Sequence, residues 1–165
     1  IMFLDQLTRE IDGTVANTGR ITTEPGNVNV VPARMTMTVD LRNPDDKKLD
    51  EVERRFSAFL DGIRGQGQIG IEQRELAKFP AQPFDPELIQ AVEDAAKAHG
   101  HKVRRMHSGA GHDAQMMATK VPTAMIFVPS VKGISHNPKE FTSDADCTAG
   151  ANVLLSAALK LANAP

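Results

Sequence analysis

Met35-Thr36-Met37-Thr38-Val39-Asp40-Leu41-Arg42 alternates apolar and polar residues without a break. Successive side chains on a strand point to opposite faces. Met35, Met37, Val39 and Leu41 therefore share one face, and Thr36, Thr38, Asp40 and Arg42 the other. The pattern predicts a half-buried strand. Upstream, the threonine-rich stretch from Gly13 to Thr23 alternates weakly and predicts another strand. Glu24-Pro25-Gly26-Asn27 reads as a turn, with Pro and Gly in the favoured central positions. Ile1 to Glu10 predicts the back half of an amphipathic helix. Downstream, Asn43-Pro44-Asp45-Asp46 opens a helix to about Ile63, with Leu49, Val52, Phe56, Phe59, Leu60 and Ile63 on one stripe. Ile69, Ile71 and Leu76 predict a further strand. Helix, strand, strand, helix, strand is most economically an antiparallel sheet with two helices on one face.

The second half is built differently. Phe79 to Phe84 reads as a linker, which sets a boundary near residue 80. Asp85-Pro86-Glu87 caps a helix with Pro at its first position, and Gly100 ends it. Leu88, Ile89, Val92, Ala95, Ala96 and His99 form its apolar stripe. Lys102 to His107 predicts a short strand, and Gly111-His112-Asp113 leads into a short helix. Pro122 to Val128 is a continuous apolar run of strand length, as expected for a strand buried on both faces. Ser143 to Ala162 predicts a closing helix, with Val153, Leu154, Ala157, Ala158 and Leu161 inward. The fold class is α/β: an α+β domain over 1–80, then strands and helices with a parallel component over 81–165.

The chain of 165 residues carries 19 basic and 21 acidic side chains, with no basic stripe. That excludes nucleic acid and an anionic membrane as main partners. No apolar run approaches the roughly 20 residues that span a bilayer. The single cysteine, Cys147, excludes a disulfide framework and makes a reducing, cytoplasmic setting the default. Near the start of the last helix, it is expected to be buried in packing rather than to act as a nucleophile. Ile1 precedes Met2, and the first helix has no N-cap. Either a tag remnant stands there or the chain begins inside a larger protein; the second is the expectation.

Two stretches carry chemistry. His107-Ser108-Gly109-Ala110-Gly111-His112-Asp113-Ala114 joins a predicted strand to a helix start. Small residues there let backbone N–H groups face an anion such as a carboxylate. The alternative is a tight turn with Asp113 as a helix-start residue. Pro129-Ser130-Val131-Lys132-Gly133-Ile134-Ser135-His136-Asn137-Pro138-Lys139-Glu140 follows the C-terminal end of the apolar strand, the edge where open α/β sheets bind ligands. His136 there could hold a metal through one ring nitrogen, or be a surface histidine in a turn. One histidine does not make a metal site, since zinc takes about three or four ligands. His99 and His101 read as structural or solvated.

Val28-Asn29-Val30-Val31-Pro32, Val39-Asp40-Leu41-Arg42, the Ser108 to Ala114 turn and Ile126 to Glu140 occur in one order. Together they resemble the family of N-carbamoyl-L-amino-acid hydrolase, β-ureidopropionase and allantoate amidohydrolase. That family is the carbamoyl-cleaving branch of the metal-dependent aminoacylase and carboxypeptidase superfamily. The resemblance spans essentially the whole chain. It implies that residues 1–80 are most of a lid and dimerisation domain, incomplete at its N-terminus. Residues 81–165 would be the last segment of an αβα catalytic domain.

The resemblance also implies roles. Asn29 and Arg42 would hold a substrate carboxylate, and Arg42 has the planar fork that suits one. Gly109, Ala110 and Gly111 would lie near that carboxylate, with His112 behind them, and His136 would be a metal ligand. The enzyme would use two divalent ions (zinc, manganese, cobalt or nickel), pair into a homodimer through the lid, and release ammonia and carbon dioxide from a ureido acid. Its other metal ligands and its catalytic glutamate are expected upstream. No catalytic residue is therefore assigned here, and this chain alone is expected to be inactive and to hold metal weakly or not at all. The competing readings are an aminoacylase or dipeptidase of the same superfamily, and a non-catalytic dimerisation or binding module.

Overall fold

A computed structural model describes residues 1–67 and 69–163. It divides into two compact units, Ile1–Ala81 and Gln82–Pro165.

In the first unit, α1 (Met2–Glu10) buries Leu4 and Leu7, and α2 (Asp46–Gly65) buries Leu49 and Val52. The two helices meet through a ring stack of Phe3 on Phe59, with centroids 4.2 Å apart. Arg55 adds an ion pair to Glu10. α2 starts where it does because Asp45 accepts from the backbone N–H groups of Lys47 and Lys48. Four short strands form a ribbon: β1 (Val15–Asn17), β2 (Ile21–Glu24), β3 (Arg34–Met37) and β4 (Asp40–Arg42). β1 pairs antiparallel with β4, placing Val15 opposite Arg42. β2 pairs antiparallel with β3, placing Ile21 opposite Met37.

The long strand expected over 35–42 is thus broken. Between the two ladders the three residues 18–20 oppose the two residues 38–39, so one extra residue enters the first strand. This is a β-bulge. The Thr38 hydroxyl accepts from the Arg20 N–H at 3.1 Å, and the Thr38 N–H donates to the Arg20 carbonyl at 3.0 Å. A side chain therefore replaces one rung of the ladder. Half-burial is also not met in β3, where Met35 is 60% exposed. α1 packs on β1 and α2 on β4, and among the described residues of this unit no helix contacts β2 or β3.

No strand forms over 69–76 among the described residues, and Ile69 and Leu76 are exposed. The segment is tied to α2 by side chains instead. Arg64 donates to the Ile71 carbonyl, and Lys78 bridges Asp50 and Glu53.

In the second unit, α3 (Pro86–Ala98) packs on α5 (Asp144–Ala162). Asp85 caps α3, as its position predicts, and Ser143, expected as the first helical residue, is instead the N-cap of α5. The core is built of small residues: Ala91, Ala95, Val153 and Ala157 are buried, with Val92, Ala96 and Ile126 beside them. Small side chains let the helices approach closely. On α5, a Cβ added at Gly150 would collide with Cγ1 of Val128. Leu154 and Leu161, expected inward, are 59% and 42% exposed.

The strands expected over 102–107 and 122–128 form no pairing among the described residues, and Phe127 is 49% exposed. A strand is a paired state. An apolar run reports only that the segment seeks cover, not that a ladder partner is present. Cys147 is exposed rather than buried. His99 is exposed too, with Nε2 2.8 Å from the Ser156 hydroxyl. Among the described residues no helix is long and apolar enough to cross a membrane.

Candidate functional site

Arg42 ends β4, held in register by Val15 opposite. Asp40 and Arg42 are two residues apart on one strand and so share a face. The guanidinium uses that proximity. Nε lies 3.1 and 2.9 Å from the two Asp40 carboxylate oxygens, and Nη2 is 2.5 Å from Oδ2. Half of each side chain remains exposed, at 50% for Arg42 and 46% for Asp40. The hydrogen bond to Asp40 raises the guanidinium pKa further above its ordinary value. The arginine therefore carries a fixed positive charge.

Asn29 lies in the exposed loop between β2 and β3. That loop caps one end of the ribbon, while Arg42 sits at the other. The eight steps from Arg34 to Arg42 can extend over about 26 Å at 3.3 Å each. The ribbon therefore separates the bases of these two residues.

In the second unit the turn Gly109-Ala110-Gly111 precedes α4 (Asp113–Ala118). The Ser108 hydroxyl donates to the Ala110 carbonyl at 2.8 Å and closes the turn. His112 is the N-cap of α4: its Nδ1 accepts from the Ala114 N–H at 3.1 Å. The Gln115 N–H goes to the His112 carbonyl. The first N–H groups of this helix, those of Ala114 and Gln115, are thus satisfied within the chain by His112. The cap bond also fixes the histidine tautomer. A ring nitrogen that accepts carries no proton, so the neutral ring is protonated on Nε2.

His136 stands in a separate, tightly folded loop. Its φ is +55°, and Lys132 and Gly133 before it also have positive φ. For a residue with a Cβ this costs of order 1 kcal/mol, so the surroundings have to impose it. They do: the His136 N–H donates to Glu140 Oε2 at 2.7 Å, the Val131 N–H to the Phe141 carbonyl, and the Lys139 N–H to Asn137 Oδ1. The Ser135 hydroxyl lies 2.9 Å from His136 Nδ1. A hydroxyl on Nδ1 orients the exposed ring so that an outside ligand meets Nε2.

The structure therefore gathers Gly109 to His112 in one turn and leaves His136 in another loop. Among the described residues no group of three or more His, Cys, Asp and Glu side chains could hold a metal ion. The donors present do not compose a metal centre, and His136 is a single candidate ligand. Sequence reasoning missed the partner of each key side chain, Asp40 for Arg42 and Ser135 for His136. The i, i+2 spacing on a strand was the available signal for the first.

The sequence pattern of peptidase family M20/M25/M40 matches residues 7–160. The chain is 38% identical over 150 residues to an N-carbamoyl-L-amino-acid amidohydrolase of Rhizobium meliloti, covering 91% of this chain and 36% of that protein. It is 37% identical over 143 residues to an allantoate amidohydrolase of Escherichia coli, covering 87% and 35%. Among solved structures, a hydantoinase/carbamoylase family amidase from Burkholderia multivorans superposes with a TM-score of 0.91 at 35% identity, over 100% of this chain and 40% of that one. The chain thus spans a little over a third of the length of these relatives. Helices with small antiparallel ribbons, the match over residues 7–160 and the superposition agree in both sequence and shape, and the chain belongs to peptidase family M20/M25/M40.

Proposed function

We propose that this chain is part of a metal-dependent amidohydrolase that cleaves the carbamoyl group from N-carbamoyl amino acids or related ureido acids, with release of ammonia and carbon dioxide. The observation that carries the reading is 38% identity along 91% of the chain to a protein that acts on N-carbamoyl-L-amino acids. In this reading the first unit serves as a lid and homodimer contact, and the second belongs to the catalytic domain. Arg42 holds the substrate carboxylate through its charged fork, aided by Asn29 and the Gly109 to His112 turn. A pair of divalent ions supplies an activated water in such chemistry. This chain offers it one ligand, His136, through Nε2. The lone exposed cysteine supports a cytoplasmic setting.

The test is ammonia release by the full-length gene product with added divalent metal, from N-carbamoyl amino acids, β-ureidopropionate and allantoate. An N-acyl amino acid, a dipeptide and a His136→Ala variant run alongside. Metal-dependent turnover of a ureido acid that collapses in the variant is the expected result. Cleavage of only the acyl or peptide substrate would move the protein to the aminoacylase and peptidase reading. Turnover of none would leave a binding module.

A further inference from the structure

The Asp40–Arg42 pair lies on β4, at the end of the ribbon away from the Arg34–Glu24 pair of β3 and β2. Within β4 the backbone ladder fixes both Cα positions: Asn17 faces Asp40 and Val15 faces Arg42. Arg42 ends the strand and is half exposed. An unrestrained arginine there would sweep many rotamers, each with its charge in a different place. Asp40 narrows that range by taking Nε and Nη2 together, which sets the guanidinium plane relative to β4. The same contact keeps the group protonated, in line with its raised pKa.

We propose that Asp40 is a positioning residue that aims the Arg42 guanidinium at the carboxylate of the substrate. The proposal rests on the reading of Arg42 as the carboxylate grip. It differs from the opposite possibility, in which Asp40 occupies the guanidinium in place of substrate and weakens binding. The two make opposite predictions for one substitution.

The experiment compares wild type, Asp40→Asn, Arg42→Ala and the double variant in the full-length protein, using whichever ureido, acyl or peptide substrate it turns over. Each of these substrates carries the carboxylate. If Asp40 positions Arg42, D40N raises KM about tenfold and leaves kcat within about twofold, because the loss is of ground-state binding. R42A raises KM further, and adding D40N to it changes nothing more, since Asp40 then has nothing to aim. An alkylurea lacking the carboxylate inhibits wild type and D40N equally. A KM for D40N that is unchanged or lowered overturns the proposal. So does a tenfold loss that persists in the R42A background, which would mark a merely structural role. If R42A itself leaves KM unchanged, the grip reading of Arg42 fails instead, and that result is separate from the D40N outcome.

Discussion

Asn43 follows Arg42 directly and is 8% exposed. Its amide Nδ2 donates to the Asp12 carbonyl at 3.2 Å and to the Thr14 hydroxyl at 3.0 Å, and its Oδ1 accepts from the Asp45 N–H at 2.9 Å. One side chain therefore ties the turn after α1, the start of β1 and the N-cap of α2 together. Replacing it with alanine removes three hydrogen bonds, each worth about 1 kcal/mol net. Two of the losses are softened. Lys48 Nζ also donates to the Asp12 carbonyl, so that acceptor keeps a partner. Asp45 is exposed, so water can reach its N–H. Thr14 is also 8% exposed and loses its donor without replacement. The expected cost of Asn43→Ala is then about 2 kcal/mol, rather than the roughly 3 of an unsoftened sum. Equilibrium urea unfolding monitored by circular dichroism reads this directly. Asn29→Ala serves as an exposed control and should stay within about 0.5 kcal/mol of wild type. A change for Asn43→Ala no larger than the control would refute the claim that this amide organises the unit.

Two further outcomes follow from packing and charge. Gly150→Ala sets about 1 kcal/mol of helix propensity against an overpacking cost of about 1–3 kcal/mol, because Val128 is stiff at χ1 and cannot swing aside. Net destabilisation is expected, with relief in a Gly150→Ala/Val128→Ala double variant. A raised melting temperature for the single variant would show that Val128 does not stand against Gly150 as described. Hydrogen bonds from Lys97 and Arg105 lower the pKa of Glu93, and bonds from Gln90 and Lys160 lower that of Asp94. A depressed folded-state pKa stabilises above the unfolded value and is lost as pH falls through the folded one. Stability should therefore decline as pH drops below about 4, and Glu93→Gln should flatten the decline in a pH series of urea midpoints. A variant curve parallel to wild type would contradict that assignment.

Helix boundaries were legible because their signals are local. Asp45, Asp85 and Ser143 accept the first-turn N–H groups at or next to the positions that their sequence neighbourhoods imply. Strands were legible only as periodicity. The alternation over 35–42 marks faces, but neither the bulge opposite Thr38 nor the exposure of β2 and β3 follows from it, because both depend on what lies across the ladder. The run 122–128 and the leucines of α5 show the same limit: hydrophobicity states a demand for cover and does not say what meets it. In the site, the polar face carrying Asp40 and Arg42 could be read directly. That Asp40 engages the guanidinium, and that His112 caps its own helix, depends on rotamers that the residue pattern does not encode.

The two candidate carboxylate residues of the first unit sit in mechanically different places. Arg42 lies at the ribbon end covered by α1 and α2, with a ladder partner opposite, an ion pair on its own face and the buried Asn43 amide next to it in sequence. Asn29 lies in an exposed loop beyond the β2–β3 end. A group that must meet a charge in one orientation belongs on the rigid end, where neighbours over-determine its position. A group that closes over a ligand belongs on a loop that can move without disturbing the core. Asn43→Ala should therefore loosen Arg42 as well as the fold and raise KM beyond what its stability loss explains, whereas Asn29→Ala should alter binding with stability intact. Measuring KM and urea midpoints for both variants separates these effects. Equal stability losses for the two would show that the ribbon has no rigid end.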